Sequence, residues 1–170
     1  MNADIVYAQT DSPFGPVWVA ATETGICTVT TGTRQPDALF AWLSRHVSPE
    51  PPREDREALT QALAQLREYF SHARQAFDLP LDVRGTAFQR AVWAEINRIT
   101  YGTTTTYSQI AEHIGRPRAA RAVGAAVGAN PLPILIPCHR VVGAGGSLTG
   151  YGGGLEMKAE LLQMEGVLSL

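Results

Sequence analysis

Cysteine is scarce in this chain: two residues in 170, Cys27 and Cys138, stand 111 positions apart with no Cys-x-x-Cys pairing. That spacing speaks against a disulfide framework and against a four-ligand zinc site, so no metal is expected. No apolar run reaches the length of a membrane span. The first ten residues, MNADIVYAQT, carry neither a basic stretch nor an apolar one, and no secretory signal is read there. The expectation is a cytoplasmic protein with no membrane partner. Apolar residues make up 45% and charged residues 18%, a balance suited to one or two globular domains with a real core.

The net charge of −2 lacks the excess of one sign that would mark a nucleic-acid partner, but it conceals a split. Residues 1–83 hold six arginines against eleven acidic residues, a balance of −5. Residues 84–170 hold seven arginines and one lysine against five glutamates, a balance of +3. Arg116, Arg118 and Arg121 crowd into six positions. Such asymmetry fits a second half that meets phosphate, and equally a solvated face.

Residues 4–32 read as β structure, with a hairpin around Glu23-Thr24-Gly25. A helix is expected over 37–47, a proline-rich loop over 48–53, and a second helix over 54–71. The stripe of that second helix is Leu59, Ala62, Leu63, Leu66, Tyr69 and Phe70. Residues 75–85 change character and carry the chain to a second unit. There, Thr86 and Gln89 have the spacing of a capping box, followed by Phe88, Ala91, Val92, Ile96 and Ile99 as a buried side. The threonine-rich stretch 101–105 is expected extended or looped, because β-branched residues disfavour helix. Thr106 and Gln109 form a second capping box opening a short helix to Ile114.

Gly115 breaks that helix, and another follows over 119–129. Two short helices joined by a glycine-containing turn match a helix-turn-helix, and also an αα-corner without DNA function. The second of them is almost wholly Ala, Gly and Val, with Arg121 as its one long side chain. A reader of base edges needs several Asn, Gln, Arg or Lys side chains, and this helix has none to spare. It is slim instead, fit for a narrow groove or for tight packing in a core.

The chemistry concentrates in ILIPCHRVVGAGG, residues 134–146. An apolar run, read as a buried strand, stops at Pro137 and delivers Cys138, His139 and Arg140. A thiol is nucleophilic as the thiolate, which needs a base or cationic surroundings. His139 is the base at hand. Adjacent side chains diverge, so a bridging water would carry the proton. Glu165, at the end of the helix LEMKAELLQMEG just before the capping Gly166, is a candidate to orient the imidazole. Residues 143–154 hold seven glycines in twelve around Tyr151, without the lysine of a phosphate-binding loop. Such a loop suits close backbone approach to a flat ligand, or simple surface mobility. Two readings of Cys138 stand at this point: an activated nucleophile, and a buried cysteine that is inert.

IPCHRV, preceded by RAVGAAVGANP and followed by GSLTGYGGGLEMK, closely resembles the O6-alkylguanine-DNA alkyltransferases. The likeness runs from Gly85 to Gly166, while residues 1–80 match loosely in length and in DSPFGP. It implies an α/β (α+β) protein. A small ribonuclease-H-like sheet-and-helix domain would occupy 1–80, and a winged-helix-like, helix-turn-helix domain that binds DNA and accepts the alkyl group would occupy 81–170. The implied activity is direct DNA repair: irreversible, single-turnover transfer of the alkyl group from O6-alkylguanine to the protein's own cysteine. O4-alkylthymine is left open as a second substrate.

The resemblance also implies roles. Cys138 would accept the alkyl group, His139 would act as base through water, and Glu165 would orient it. Asn130 would be the hinge that ties the recognition helix to the site. Tyr107 would crowd the phosphate, help swing the nucleotide out and donate a proton to guanine. Arg121 would fill the vacated place in the duplex, with Ala120 and Gly124 at the DNA. Tyr151, Val141, Gly152 and Pro133 would line the base pocket. The implied partner is double-stranded DNA, entered from the minor groove with the damaged nucleotide flipped out by a monomeric protein. No cofactor or metal is implied. Thr103 and Thr105 stand where many bacterial relatives carry Glu and Arg, which removes two charges from a DNA-facing wing.

Overall fold

Residues 17–21, VWVAA, run without a polar break, and all five side chains are buried. A strand of this kind has to be covered on both faces. It forms β2 (Val17–Ala21) inside a four-stranded sheet of order β3-β2-β1-β4. β1 (Val6–Thr10) and β3 (Ile26–Thr31) run antiparallel to it, and β4 (Arg53–Glu54) pairs parallel to β1. The computed structural model describes residues 4–151 and 154–167. The expected hairpin closes where the Thr22 N–H donates to the Gly25 carbonyl at 2.9 Å. On one face Trp18, Ala20 and Cys27 pack with Leu39 and Leu43 of α1 (Asp37–His46). α2 (Thr60–Phe70) lies against β1.

The second helix starts later than its apolar stripe suggests. Arg53 and Glu54 join the sheet instead, with the Arg53 N–H on the Ile5 carbonyl and the Asp55 N–H on the Tyr7 carbonyl, both at 2.9 Å. Asp55 then accepts from the Ala58 N–H at 2.9 Å, closing a turn that holds helical geometry off until Thr60. A local side-chain bond and a strand partner together outweigh helix propensity here. The stripe itself is as expected: Leu59, Ala62, Leu63, Leu66, Tyr69 and Phe70 are all buried.

The segment after α2 stays with the first unit. The buried Gln65 amide clasps Asp78 as a strand would, donating to its carbonyl at 3.1 Å and accepting from its N–H at 2.9 Å. Ile26 then pairs with Leu81, its N–H on the Pro80 carbonyl and the Asp82 N–H on its own carbonyl. Gly25 is required at this contact, because a Cβ there would lie 2.5 Å from the Pro80 oxygen. The chain divides into two compact units after Arg84; the expected boundary at 80 and 81 falls inside this pairing.

The second unit is helical. α3 (Ala87–Ile96) and α4 (Tyr107–His113) both open on the expected capping boxes, Thr86 with Gln89 and Thr106 with Gln109. α4 ends where Gly115 takes a φ of 77°. The Arg116 N–H reaches the Ala111 carbonyl and the Gly115 N–H the Glu112 carbonyl, a Schellman stop. α5 (Ala120–Gly128) packs on α4 and α3, completing the helix-turn-helix. The buried side of α3 differs from expectation. Val92, Ile96 and Ile99 are buried, but Ala91 is exposed and Phe88 only half-buried, with Arg116 over its ring at 5.7 Å. Trp93 fills the place instead, because its indole N–H finds the Ala126 carbonyl of α5 at 2.8 Å.

β5 (Thr105–Thr106) pairs parallel with β6 (Val141–Val142). This small ladder sets the start of α4 beside the chain leaving Cys138. α6 (Leu155–Met164) closes the unit and ends in a second Schellman stop, at Gly166 with φ 81°. Among the described residues no helix is long and apolar enough to cross a membrane.

Candidate active site

The run expected to be a strand, residues 134–136, is a tight turn. Two prolines, Pro131 and Pro133, cannot donate to a ladder, and Asn130 folds the segment back. Its Nδ2 donates to the Ile136 carbonyl and its Oδ1 accepts from the Leu132 N–H, both at 2.9 Å. Ile134 sits at φ 74°, a left-handed conformation that costs a β-branched residue on the order of 1–3 kcal/mol. The strain is spent next to the nucleophile. Asn130 therefore holds the loop that sets Cys138 in place.

Cys138, His139 and Arg140 form one turn of 3₁₀ helix, which sends three successive side chains in different directions. All three are buried, and Cys138 keeps 5% of its surface exposed. His139 Nε2 lies 2.7 Å from Glu165 Oε2. Glu165 is also gripped by Arg140, whose Nε donates to Oε1 at 2.8 Å and whose Nη2 donates to Oε2 at 3.0 Å. The third arm of Arg140 donates to the Ile99 carbonyl at 2.7 Å, and its guanidinium lies 5.5 Å from the Tyr101 ring centre. A carboxylate held on both oxygens by a guanidinium is ionised and only accepts, so the imidazole proton sits on Nε2.

That arrangement leaves His139 Nδ1 as the lone-pair nitrogen, and it is buried with no hydrogen-bond partner among the described residues. Burial holds the imidazole below its ordinary pKa, with Glu165 opposing, so the ring is neutral at pH 7. The site thus contains a neutral base with an unshared lone pair on the residue next to the thiol. Burial, the largest influence, pushes the Cys138 thiol up; a hydrogen bond from Asn130, the Lys158 ammonium and the N–H groups of Cys138 and His139 pull it down.

The cation whose charge lowers the Cys138 pKa is Lys158, while Arg140 is committed to Glu165. Lys158 was missed in the sequence. It is fully buried on α6, and its Nζ donates to the Thr149 carbonyl at 2.6 Å and the Gly150 carbonyl at 3.4 Å. Burial lowers its pKa and the Cys138 charge raises it. The signal was present: Lys158, Leu161, Leu162 and Glu165 lie on one helical stripe, and a charged residue on an apolar stripe needs a reason.

The other expected residues are spread over several elements. Tyr151 is half-buried, its hydroxyl buried without a partner among the described residues. Burial, with Cys138 and Glu165 adding to it, holds that phenol well above its ordinary pKa. Val141 is buried in β6 and Pro133 is half-buried on the strained turn. Gly152 lies outside the described residues. Tyr107 opens α4 with its ring against α5 at Gly124, where a Cβ would stand 3.8 Å away. Ala120 is half-buried, while Arg121, Ala122, Ala125, Gly128 and Ala129 form the exposed face of α5. That face offers one long cation on a slim, nearly smooth surface. Among the described residues no group of three or more His, Cys, Asp or Glu could hold a metal ion.

Two family models match the chain in succession. Residues 5–83 fit the ribonuclease-like domain of 6-O-methylguanine DNA methyltransferase, and residues 87–167 fit its DNA-binding domain. The methylated-DNA–protein-cysteine methyltransferase of Mycobacterium tuberculosis is 45% identical over 161 residues, covering 95% of this chain and 92% of the relative. Its namesake in Methanosarcina acetivorans is 41% identical, covering 94% and 97%. Among solved structures, the M. tuberculosis OGT in complex with DNA superposes with a TM-score of 0.81 at 41% identity, covering 94% of this chain and 92% of that one.

Proposed function

The chain belongs to the 6-O-methylguanine DNA methyltransferase family, and on that premise we propose that it repairs DNA directly by moving the alkyl group of O6-alkylguanine onto Cys138. The observation that carries this is the buried run Cys138-His139 with His139 held on Glu165, its other ring nitrogen unpaired among the described residues, and the Lys158 charge lowering the thiol pKa. The Cys138 proton leaves through a water to His139 Nδ1, and the resulting imidazolium is stabilised by Glu165. The thiolate attacks the alkyl carbon in line, a C–S bond forms, and the C–O6 bond breaks with its electron pair passing into the guanine ring. Guanine regains a proton, for which Tyr107 is the proposed donor. The imidazolium gives its proton back to water, and the Tyr107 phenolate is reprotonated from water, so that one proton in all passes from the thiol to guanine. The products are guanine in DNA and a thioether. Nothing in the reaction removes the alkyl group from sulfur, so each molecule acts once. Thiol and lesion are the only reactants.

The lesion lies inside a duplex, and extruding it costs on the order of a few kcal/mol. The exposed face of α5 supports entry from the minor groove, since its alanines and glycines allow close approach and Arg121 can occupy the gap in the stack. Ala120, Gly124 and Tyr107 flank that face. The flipped base then meets Tyr151, Val141, Pro133 and Gly152, with backbone at Cys138. Leu155 is the one large apolar side chain exposed among the described residues, which suits a monomer. Two free thiols suit the cytoplasm.

Cys138→Ser tests the assignment. Transfer from an O6-methylguanine duplex is expected to vanish while binding to that duplex persists. Retained transfer would remove Cys138 as the acceptor, and loss of both would return it to a structural role.

A further inference from the structure

The loop between β6 and α6 is held at Thr149 from two sides. From α6, the Lys158 ammonium donates to the Thr149 carbonyl at 2.6 Å. From α4, the Tyr107 hydroxyl donates to that same carbonyl at 3.3 Å and accepts from Thr149 Oγ1 at 3.1 Å. A phenol has one proton to give. Here it is given, at a long distance, to an oxygen that already has a charged donor much closer. Turning that proton elsewhere leaves no group stranded: the carbonyl keeps Lys158, and the Tyr107 oxygen keeps the Thr149 hydroxyl. The ring meanwhile lies near Gly124 of α5, where an added Cβ would meet it at 3.8 Å.

We propose that Thr149 is a positioning residue for alkyl transfer, its hydroxyl holding the Tyr107 oxygen while the Tyr107 proton turns from the Thr149 carbonyl to the entering base. This rests on the transfer reading above. As the C–O bond breaks, charge flows into the purine and its ring acceptors strengthen, so a donor facing them gains most in the transition state. A hydroxyl that itself accepts a hydrogen bond is polarised into a better donor. Thr149 thus acts through Tyr107, and Lys158 makes the exchange inexpensive.

The test is single-turnover transfer from an O6-methylguanine duplex at saturating protein. Kd for the same duplex is measured alongside for wild type, Thr149→Val, Thr149→Ser, Tyr107→Phe and the Tyr107→Phe/Thr149→Val double variant. Valine keeps the shape and the backbone carbonyl and removes only the hydroxyl. The saturated rate is expected to fall about tenfold in Thr149→Val with Kd unchanged, to recover in Thr149→Ser, and to fall no further when valine is added to Tyr107→Phe. An unchanged rate in Thr149→Val, an equal loss in the Tyr107→Phe background, or no recovery with serine would overturn the inference. An inactive wild type would instead overturn the transfer reading on which it stands.

Discussion

His139 and Glu165 meet through one 2.7 Å contact closed to solvent, Nε2 facing Oε2, and the same carboxylate carries the bidentate Arg140. One carboxylate therefore fixes the tautomer of the base and neutralises a buried guanidinium. Glu165→Gln is expected to cost about 3–5 kcal/mol of stability, because it leaves Arg140 buried without a counter-charge. It is also expected to slow transfer about a hundredfold or more by freeing the imidazole to turn. Chemical denaturation and single-turnover kinetics read the two effects separately. A variant as stable as wild type would show that the carboxylate does not compensate Arg140.

Burial depresses the His139 pKa in the folded protein. Above its ordinary value near 6.5 the ring is neutral in both states, and its contribution to stability is fully present. As pH falls below about 6.5 the unfolded chain takes up a proton that the folded chain refuses, and stability is lost until the lower folded pKa is reached. Unfolding titrations between about pH 8 and pH 5 are expected to show this loss in wild type and a smaller one in His139→Gln. Equal slopes in the two proteins would place the proton uptake elsewhere.

Lys158 lowers the Cys138 pKa by its charge, against burial. Lys158→Met is expected to move the pH profile of Cys138 alkylation by iodoacetamide upward and to slow repair. Reactivity of Cys27, which burial holds at a pKa of about 12, is expected to stay negligible in both proteins. A profile that does not move would mean the ammonium serves the Thr149 and Gly150 carbonyls alone.

Arg121 is exposed on α5. Arg121→Ala is expected to slow repair of duplex DNA, where the vacated stack must be held open, and to leave reactivity toward a small free alkylating agent unchanged. Duplex repair at the wild-type rate would remove the arginine from extrusion.

Local chemistry made much of this molecule legible in its sequence. The capping boxes at Thr86 and Thr106, the turn at Glu23–Gly25 and the Glu165-Gly166 helix end are each closed by neighbours within a few residues, so their spacing suffices. What was misread depends on partners outside each segment's own hydrophobic pattern. The start of α2 moved because Arg53 and Glu54 pair with β1, and residues 134–136 became a strained turn because the Asn130 amide closes on them. Trp93 displaced Ala91 from the core of α3 through a bond to Ala126, thirty-three residues on. At the site, the triad could be read from order and family likeness. The role of Arg140 as partner to Glu165, and of Lys158 as a cation that lowers the Cys138 pKa, required the packing of α6 against the turn.

The most direct measurement mixes the protein with increasing amounts of a duplex carrying one O6-methylguanine and weighs the peptide that contains Cys138. The account requires that peptide to gain the mass of one methylene, reaching one equivalent per protein and stopping there while the surplus lesion stays unrepaired. Lesion removed well beyond one equivalent, or lost with the Cys138 peptide unchanged in mass, would contradict it.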